Sequence, residues 1–228
     1  MTIEIGFLVF PQVQQLDLTG PYEVLAMVPG ARVHLVAKTL APVASTTGLV
    51  LTPTITFTAC PALDVICVPG GSGVNPLLED AETLDFLRRQ AAGARYVTSV
   101  CTGALVLGAA GLLRGRRATT HWAAHDLLAA FGAVPVQERV VRDGNLITGG
   151  GVTAGIDFGL TLAAELADEA TARTIQLQQE YAPTPPFSAG RPDTAGPAIT
   201  AAARERLSAA RREREAIVAR LTPSTGEA

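Results

Sequence analysis

Apolar positions along this chain come in two rhythms. The first is the short unbroken run. Ile3 to Phe10 is interrupted only by Glu4 and Gly6 and is ended by Pro11. Leu63 to Val68 is stopped by Pro69-Gly70-Gly71. Arg32 to Ala37 and Tyr96 to Val100 read as further strands. Continuous apolar strands of this length are those buried on both faces of a sheet.

The second rhythm is helical. Thr19 reads as an N-cap, with Pro21 in the first turn of a helix that runs to Val28. Leu84, Leu87 and Ala91 share one face of a helix over Ala81 to Ala92. Gly103 to Leu113, Ala124 to Phe131, Thr153 to Ala167 and Thr171 to Gln179 predict four more. Asp143-Gly144, set between two short apolar runs, predicts a hairpin. Strands that alternate with helices predict an α/β fold: a doubly wound, mostly parallel sheet with helices on both faces.

The pattern fades after Tyr181. Residues 182–197 hold five prolines and read as a loop, either a lid or a connector. Thr200 to Leu221, rich in Ala, Arg and Glu, predicts an exposed helix whose arginines form a solvated face. Residues 1–197 are therefore expected to form one α/β domain, and 198–228 a helical extension.

Composition narrows the function classes. The chain has 228 residues, 48% of them hydrophobic and 17% charged, which suffices for a substantial core. A net charge of -3 and an aromatic content of 5% argue against nucleic-acid binding. Leu105 to Leu113 is too short to span a membrane and is closed by Arg114, Arg116 and Arg117. No basic leader with a cleavage site opens the chain. Three cysteines do not suggest a disulfide scaffold. The expectation is a soluble cytoplasmic protein.

Those cysteines differ in setting. Cys67 lies inside an apolar strand and reads as core. Cys60 precedes Pro61 in a turn-like stretch. Cys101 ends one predicted strand and opens a predicted helix, with Ser99 and Gly103 two residues to either side. That is the spacing of a nucleophile elbow, where helix N–H groups lower a thiol's pKa. A buried inert cysteine is the alternative reading. Thr102 follows where a histidine would suggest a Cys–His pair; its hydroxyl can hold substrate or Asp17 but is no base near neutral pH.

Asp17 lies between the first strand and the first helix, at the carboxyl edge where open α/β sheets bind ligands. Flanked by Leu16 and Leu18, it can be desolvated and able to carry a proton. An Asx turn or helix cap is the competing role. Glu23 is a second acid, further into the helix. Gly71 and Ser72 can offer backbone N–H groups to an anion or simply form a tight turn. Gly150 and Val152 are further candidates for binding substrate or an oxyanion, and the Gly149-Gly150-Gly151 run reads as backbone room at a helix start or as a mobile hinge near the site. His121 and His125 stand at i, i+4 spacing, but no third ligand or CxxC accompanies them, so no metal is expected. A Cys101–His121 dyad stays open.

Together these residues carry a family resemblance. The Asp17-to-Pro21 spacing, the Gly-Gly loop and the Cys101-Thr102 elbow resemble the ThiJ/PfpI superfamily, of class I glutamine amidotransferase-like, flavodoxin-like fold. Segments 10–26, 99–113, 118–122, 138–145, 148–166 and 180–190 are most similar to isocyanide hydratases. The resemblance implies hydration of an organic isocyanide to an N-formamide. Cys101 would form a thioimidate, Asp17 would act as acid and base, and Thr102 would position Asp17 or water. It implies no cofactor, and a homodimer with the C-terminal helix packing across subunits. Segments like Cys101–Gly103 and Ala118–Trp122 also occur in sensor halves of AraC-type regulators. The stretch after residue 197 is too short for their DNA-binding domain. A non-enzymatic redox or small-molecule sensor is the alternative.

Overall fold

Strand alternation decides which layer each residue joins. On β1 (Ile3–Leu8), Ile5 and Phe7 enter the core on one face of the sheet, and Leu8 enters the core on the other. The computed structural model describes residues 2–222. After β1 come α1 (Gln15–Leu25), β2 (Ala31–Ala37), the short ladder β3 (Val43–Ala44) with β4 (Val50–Leu51), and β5 (Ile55–Thr56). Next are β6 (Val65–Val68), α2 (Val74–Leu77), α3 (Ala81–Ala91), β7 (Tyr96–Val100) and α4 (Gly103–Ala109). β8 (Arg117–Ala118) and β9 (Val134–Pro135) flank a 3-10 helix over Trp122–Phe131. The hairpin β10 (Val140–Asp143) and β11 (Leu146–Gly149) leads to α5 (Ala154–Leu166), α6 (Glu169–Gln178), α7 (Pro192–Ala195) and α8 (Pro197–Leu221).

Seven strands form the central sheet in the order β10-β11-β7-β6-β1-β2-β5. Every neighbouring pair is parallel except β10 with β11. One core lies under α1, α5 and α6 and includes Phe7, Cys67, Val100 and Phe158. The other lies under α3, α4 and the 3-10 helix and includes Ile66, Val68, Phe86 and Leu105. This is the doubly wound, flavodoxin-like α/β arrangement. The chain leaves β1 for β2 on one side and returns to β6 on the other. The loops after β1 and β6 therefore part at a switch point, where such sheets open a crevice.

Four local expectations are corrected. α1 begins at Gln15, not near Thr19, so Asp17 lies in its first turn rather than before it. The Gln14 N–H donates to the Gly70 carbonyl at 2.8 Å, which pins the helix start upstream. Thr19 is no cap: its hydroxyl donates to the Gln15 carbonyl at 3.0 Å, and Pro21 lies in the helix interior. α4 ends at Ala109, short of Leu113. Gly111, at φ 81°, stops it, with the Leu112 N–H bonded to the Leu107 carbonyl and the Gly111 N–H to that of Gly108. That is a Schellman cap, and it explains why the apolar run continues where the helix does not. The segment expected to be helical over Ala124 to Phe131 is 3-10, and it is ended by Gly132 at φ 74°.

The fourth correction concerns α8. It is not a wholly exposed helix with a solvated arginine face. Ile217 and Val218 are buried in the α3–α4 core, and Arg214 is only 7% exposed. The end of the extension, residues 223–228, lies outside the described residues. Among the described residues, no helix is long and apolar enough to cross a membrane.

Candidate active site

Parallel strands aim their carboxyl ends the same way. β11, β7, β6 and β1 are adjacent, so the segments that follow them converge on one edge. β1 leads to Asp17, β6 to Gly70 and Gly71, β7 to Cys101 and Thr102, and β11 to Gly150 and Val152. Residues spread over 135 positions of sequence thus meet at a single sheet edge.

Cys101 has φ 56°, in the left-handed region that costs a non-glycine residue about 1–3 kcal/mol. Neighbours hold it there. Its N–H donates to the carbonyls of Gly149 at 3.0 Å and Gly150 at 2.8 Å, and its own carbonyl accepts from the Thr120 hydroxyl at 2.7 Å. Gly103 completes the elbow, because a Cβ there would sit 1.9 Å from the Val68 carbonyl oxygen. The turn drives the thiol into the crevice, with the residue 5% exposed.

Asp17 is fully buried. The Gly70 N–H donates to its Oδ2 at 2.9 Å, while Oδ1 has no hydrogen-bond partner among the described residues. The carboxyl interacts with the Cys101 thiol. Burial pushes the Asp17 pKa up to about 7, against the lowering effect of the Gly70 N–H and the Cys101 thiol. Burial, reinforced by Asp17, also drives the Cys101 pKa well above its ordinary value, although the Thr102 N–H and Arg214 pull it down. This corrects the expectation of a simply depressed thiol: at this elbow, desolvation outweighs the helix N-terminus. The two acids are coupled, and a proton on one alters the other.

Thr102 is clamped on the glycine loop rather than on Asp17. Its hydroxyl accepts from the Gly71 N–H at 3.1 Å. That bond removes Gly71 as a free anion donor. Gly150 is likewise committed, its N–H donating to the Arg139 carbonyl at 2.9 Å. Ser72 is exposed beside the loop, and Val152 is half-buried. Gly150 and Val152 line a cavity of about 540 Å³ with Thr120, His121, Trp122 and Arg191. Arg191 brings the 182–197 segment to the cavity wall.

The remaining candidates separate. Cys67 is enclosed in β6, and burial raises its pKa to about 12. Cys60 is half-buried and raised to about 11 for the same reason. Glu23 is exposed. His121 Nδ1 accepts from the Ala123 N–H at 3.2 Å, and burial with the Arg214 charge holds its pKa at about 4. It makes no hydrogen bond to Cys101. The buried Nε2 of His125 is unpartnered. No group of three or more His, Cys, Asp or Glu among the described residues could hold a metal.

Sequence reasoning missed Asn75, Thr120 and Arg214. Arg214 looks like every other arginine of its helix; only its spacing of three and four to Ile217 and Val218 marks the inward face.

Gly70 is the position where space is tightest. A Cβ would fall 2.6 Å from Thr102 N and 2.7 Å from both Asp17 Oδ2 and Thr102 Oγ1. Gly70→Ala is expected to lower the melting temperature by several degrees, as about 1–3 kcal/mol of overpacking would, and to displace Asp17. A thermal melt checks the first effect. An unchanged melt would mean that the crevice yields freely.

A sheet of this order, with an acid after β1 and a cysteine elbow after β7, defines a class. The family model described as DJ-1/PfpI matches residues 4–165, and the chain belongs to that family. It is 70% identical over 206 residues to an isonitrile hydratase of Pseudomonas putida, covering 90% of each chain. A crystal structure of a ThiJ/PfpI family protein from Pseudomonas syringae superimposes with a TM-score of 0.93 at 47% identity, over 96% of this chain and 91% of that one. An HTH-type transcriptional regulator of Pseudomonas aeruginosa is 32% identical over 169 residues, which cover 69% of this chain and 45% of the regulator.

Proposed function

We propose that this chain is a hydratase that converts organic isocyanides to N-formamides. The observation that carries the reading is Asp17, a fully buried carboxyl with one oxygen fixed by Gly70 and the other left without a hydrogen bond, coupled to the Cys101 thiol. The name of the Pseudomonas putida relative supports the substrate class.

Proton transfers through Asp17 and one covalent adduct suffice. Ionised Asp17 takes the thiol proton, and the electron pair stays on sulfur. The sulfur attacks the terminal carbon of R–N≡C, and protonated Asp17 returns its proton to that carbon. The product is a thioimidate, R–N=CH–S–Cys101. Water then adds across the C=N bond, with Asp17 again accepting and returning a proton. The tetrahedral adduct expels the Cys101 sulfur, which recovers its proton as the formamide R–NH–CHO leaves. No electron is gained or lost, so the chemistry calls for no redox partner.

Thr102, bound to Gly71, would fix the loop whose Gly70 N–H orients Asp17. The cavity beside Gly150 and Val152 would take the substrate's R group. A homodimer, cytoplasmic residence and the division at residue 197 belong to the same proposal.

Purified protein is expected to consume a simple alkyl isocyanide such as cyclohexyl isocyanide and to release the N-formamide in equal amount, followed by gas chromatography. Isocyanide left unconsumed at the no-enzyme rate would refute the reading.

A further inference from the structure

One buried cation is left unexplained by that chemistry, and it comes from the far end of the chain. Arg214 lies on the inward face of α8, 7% exposed. The neighbouring Arg211 pairs with Asp126 and Glu215, and Arg220 with Glu79. Arg214 makes no carboxylate pair within 4.0 Å among the described residues. Burying a cation with no carboxylate in direct contact is costly, and Glu213 offsets that cost only from a distance. A packing role would be served by any long apolar side chain.

What holds Arg214 is a neutral side chain next to the site. Its Nε donates to Asn75 Oδ1 at 2.9 Å. Asn75 is fully buried, and its Nδ2 donates to the Ala210 carbonyl at 3.0 Å and to Glu213 Oε2 at 2.7 Å. All of its side-chain hydrogen bonds therefore go to α8. Its backbone N–H donates to the Ser72 carbonyl at 3.1 Å. The glycine loop that fixes Asp17 and Thr102 is thus keyed, through Asn75, to the C-terminal helix.

The guanidinium charge acts on Cys101, where it favours the ionised sulfur, and on His121, which it helps keep neutral. The charged or titratable groups acting at this point are Asp17 from α1, His121 before the 3-10 helix, and Arg211, Glu213 and Arg214 from α8. Arg214 favours negative charge on the sulfur.

We propose that α8 completes the active site: Asn75 aims Arg214 so that its charge steadies the negative sulfur formed when Asp17 takes the Cys101 proton. In that step the S–H bond breaks, an O–H bond forms on Asp17, and the pair of electrons remains on sulfur. Arg214 is a positioning residue, acting on Cys101 through its field. The proposal rests on the Cys101–Asp17 reading above, but its test needs no isocyanide.

The test is alkylation of the full chain by iodoacetamide across pH, read at the Cys101 peptide by mass spectrometry so that Cys60 and Cys67 do not interfere. Arg214→Met is expected to move the alkylation midpoint up by about one pH unit, the scale set by one nearby charge. Below the midpoint, the rate should drop about tenfold. Arg214→Lys should restore most of the wild-type midpoint. Should Arg214→Met fail to fold, Arg214→Gln provides a neutral side chain that still donates to Asn75, and it is read the same way. A neutral variant that melts lower but keeps the wild-type midpoint would show that Arg214 only fastens α8, and would overturn the proposal. Because the midpoint is independent of turnover, an inactive protein with a shifted midpoint would sink the isocyanide reading and leave this one standing.

Discussion

Cys101→Ala is expected to bring formamide production down by about a thousandfold or more, the scale on which removing a nucleophile acts. The reason is chemical rather than structural. In the proposed cycle no other sulfur can replace it, since Cys67 is enclosed in the sheet and Cys60 belongs to the α3–α4 side of the core. The elbow itself should survive. Its hydrogen bonds to Gly149, Gly150 and Thr120 are made by the backbone of residue 101. Alanine is as strained as cysteine at φ 56°, so no gain in stability is expected either. Rates are read by chromatography of the formamide and folding by circular dichroism. A folded Cys101→Ala variant that retains even a tenth of wild-type turnover would rule out the thioimidate.

Asp17→Asn should separate activity from stability in opposite directions. The amide can still accept the Gly70 hydrogen bond through its oxygen, but it can neither take nor return a proton. Turnover is expected to fall by about 10² to 10⁴, the usual contribution of a general acid–base. Stability should move the other way at alkaline pH. The folded Asp17 pKa, about 7, lies above the ordinary 3.8, so the folded state holds the proton more tightly than the unfolded chain. The contribution of Asp17 to stability is therefore full below about pH 4, is lost as pH rises through about 7, and stays absent above that. The gap corresponds to about 4 kcal/mol for burying the ionised carboxyl. At pH 8 the asparagine variant should melt several degrees above wild type, and near pH 4 the difference should vanish. Melting curves at the two pH values check this. Equal melting at pH 8 would mean that Asp17 carries no buried charge there. The same pKa implies that wild-type kcat/KM falls about tenfold per pH unit below about 7, where the base is lost.

This trade shows where the sequence was legible and where it was not. The four core strands and most helices could be read from the apolar pattern, because burial on both faces leaves continuous runs and one-sided burial leaves a helical stripe. Two of the departures fell at element ends. α1 starts where Gln14 reaches Gly70, a contact 56 residues away in sequence. α4 stops at the Gly111 cap although its apolar residues continue, because the turn beyond it is also buried.

The candidate site divides along the same line. The kinds of group required, a thiol at a strand-to-helix elbow and an acid after the first strand, are local features that the sequence determined by itself through residue type and spacing. The state of those groups was decided by tertiary structure. Cys101 alone suggests a depressed pKa at a helix start; only its neighbours reveal that desolvation and Asp17 dominate. Gly71 reads as a free donor until the fold assigns its N–H group to Thr102. Arg214 was indistinguishable from the solvated arginines of α8 until the fold buried it against Asn75. Hydrophobic patterning acts over a few residues and survives in one dimension. Desolvation, hydrogen-bond occupancy and charge depend on what stands a few ångströms away in space, and only the assembled sheet edge brings those groups together.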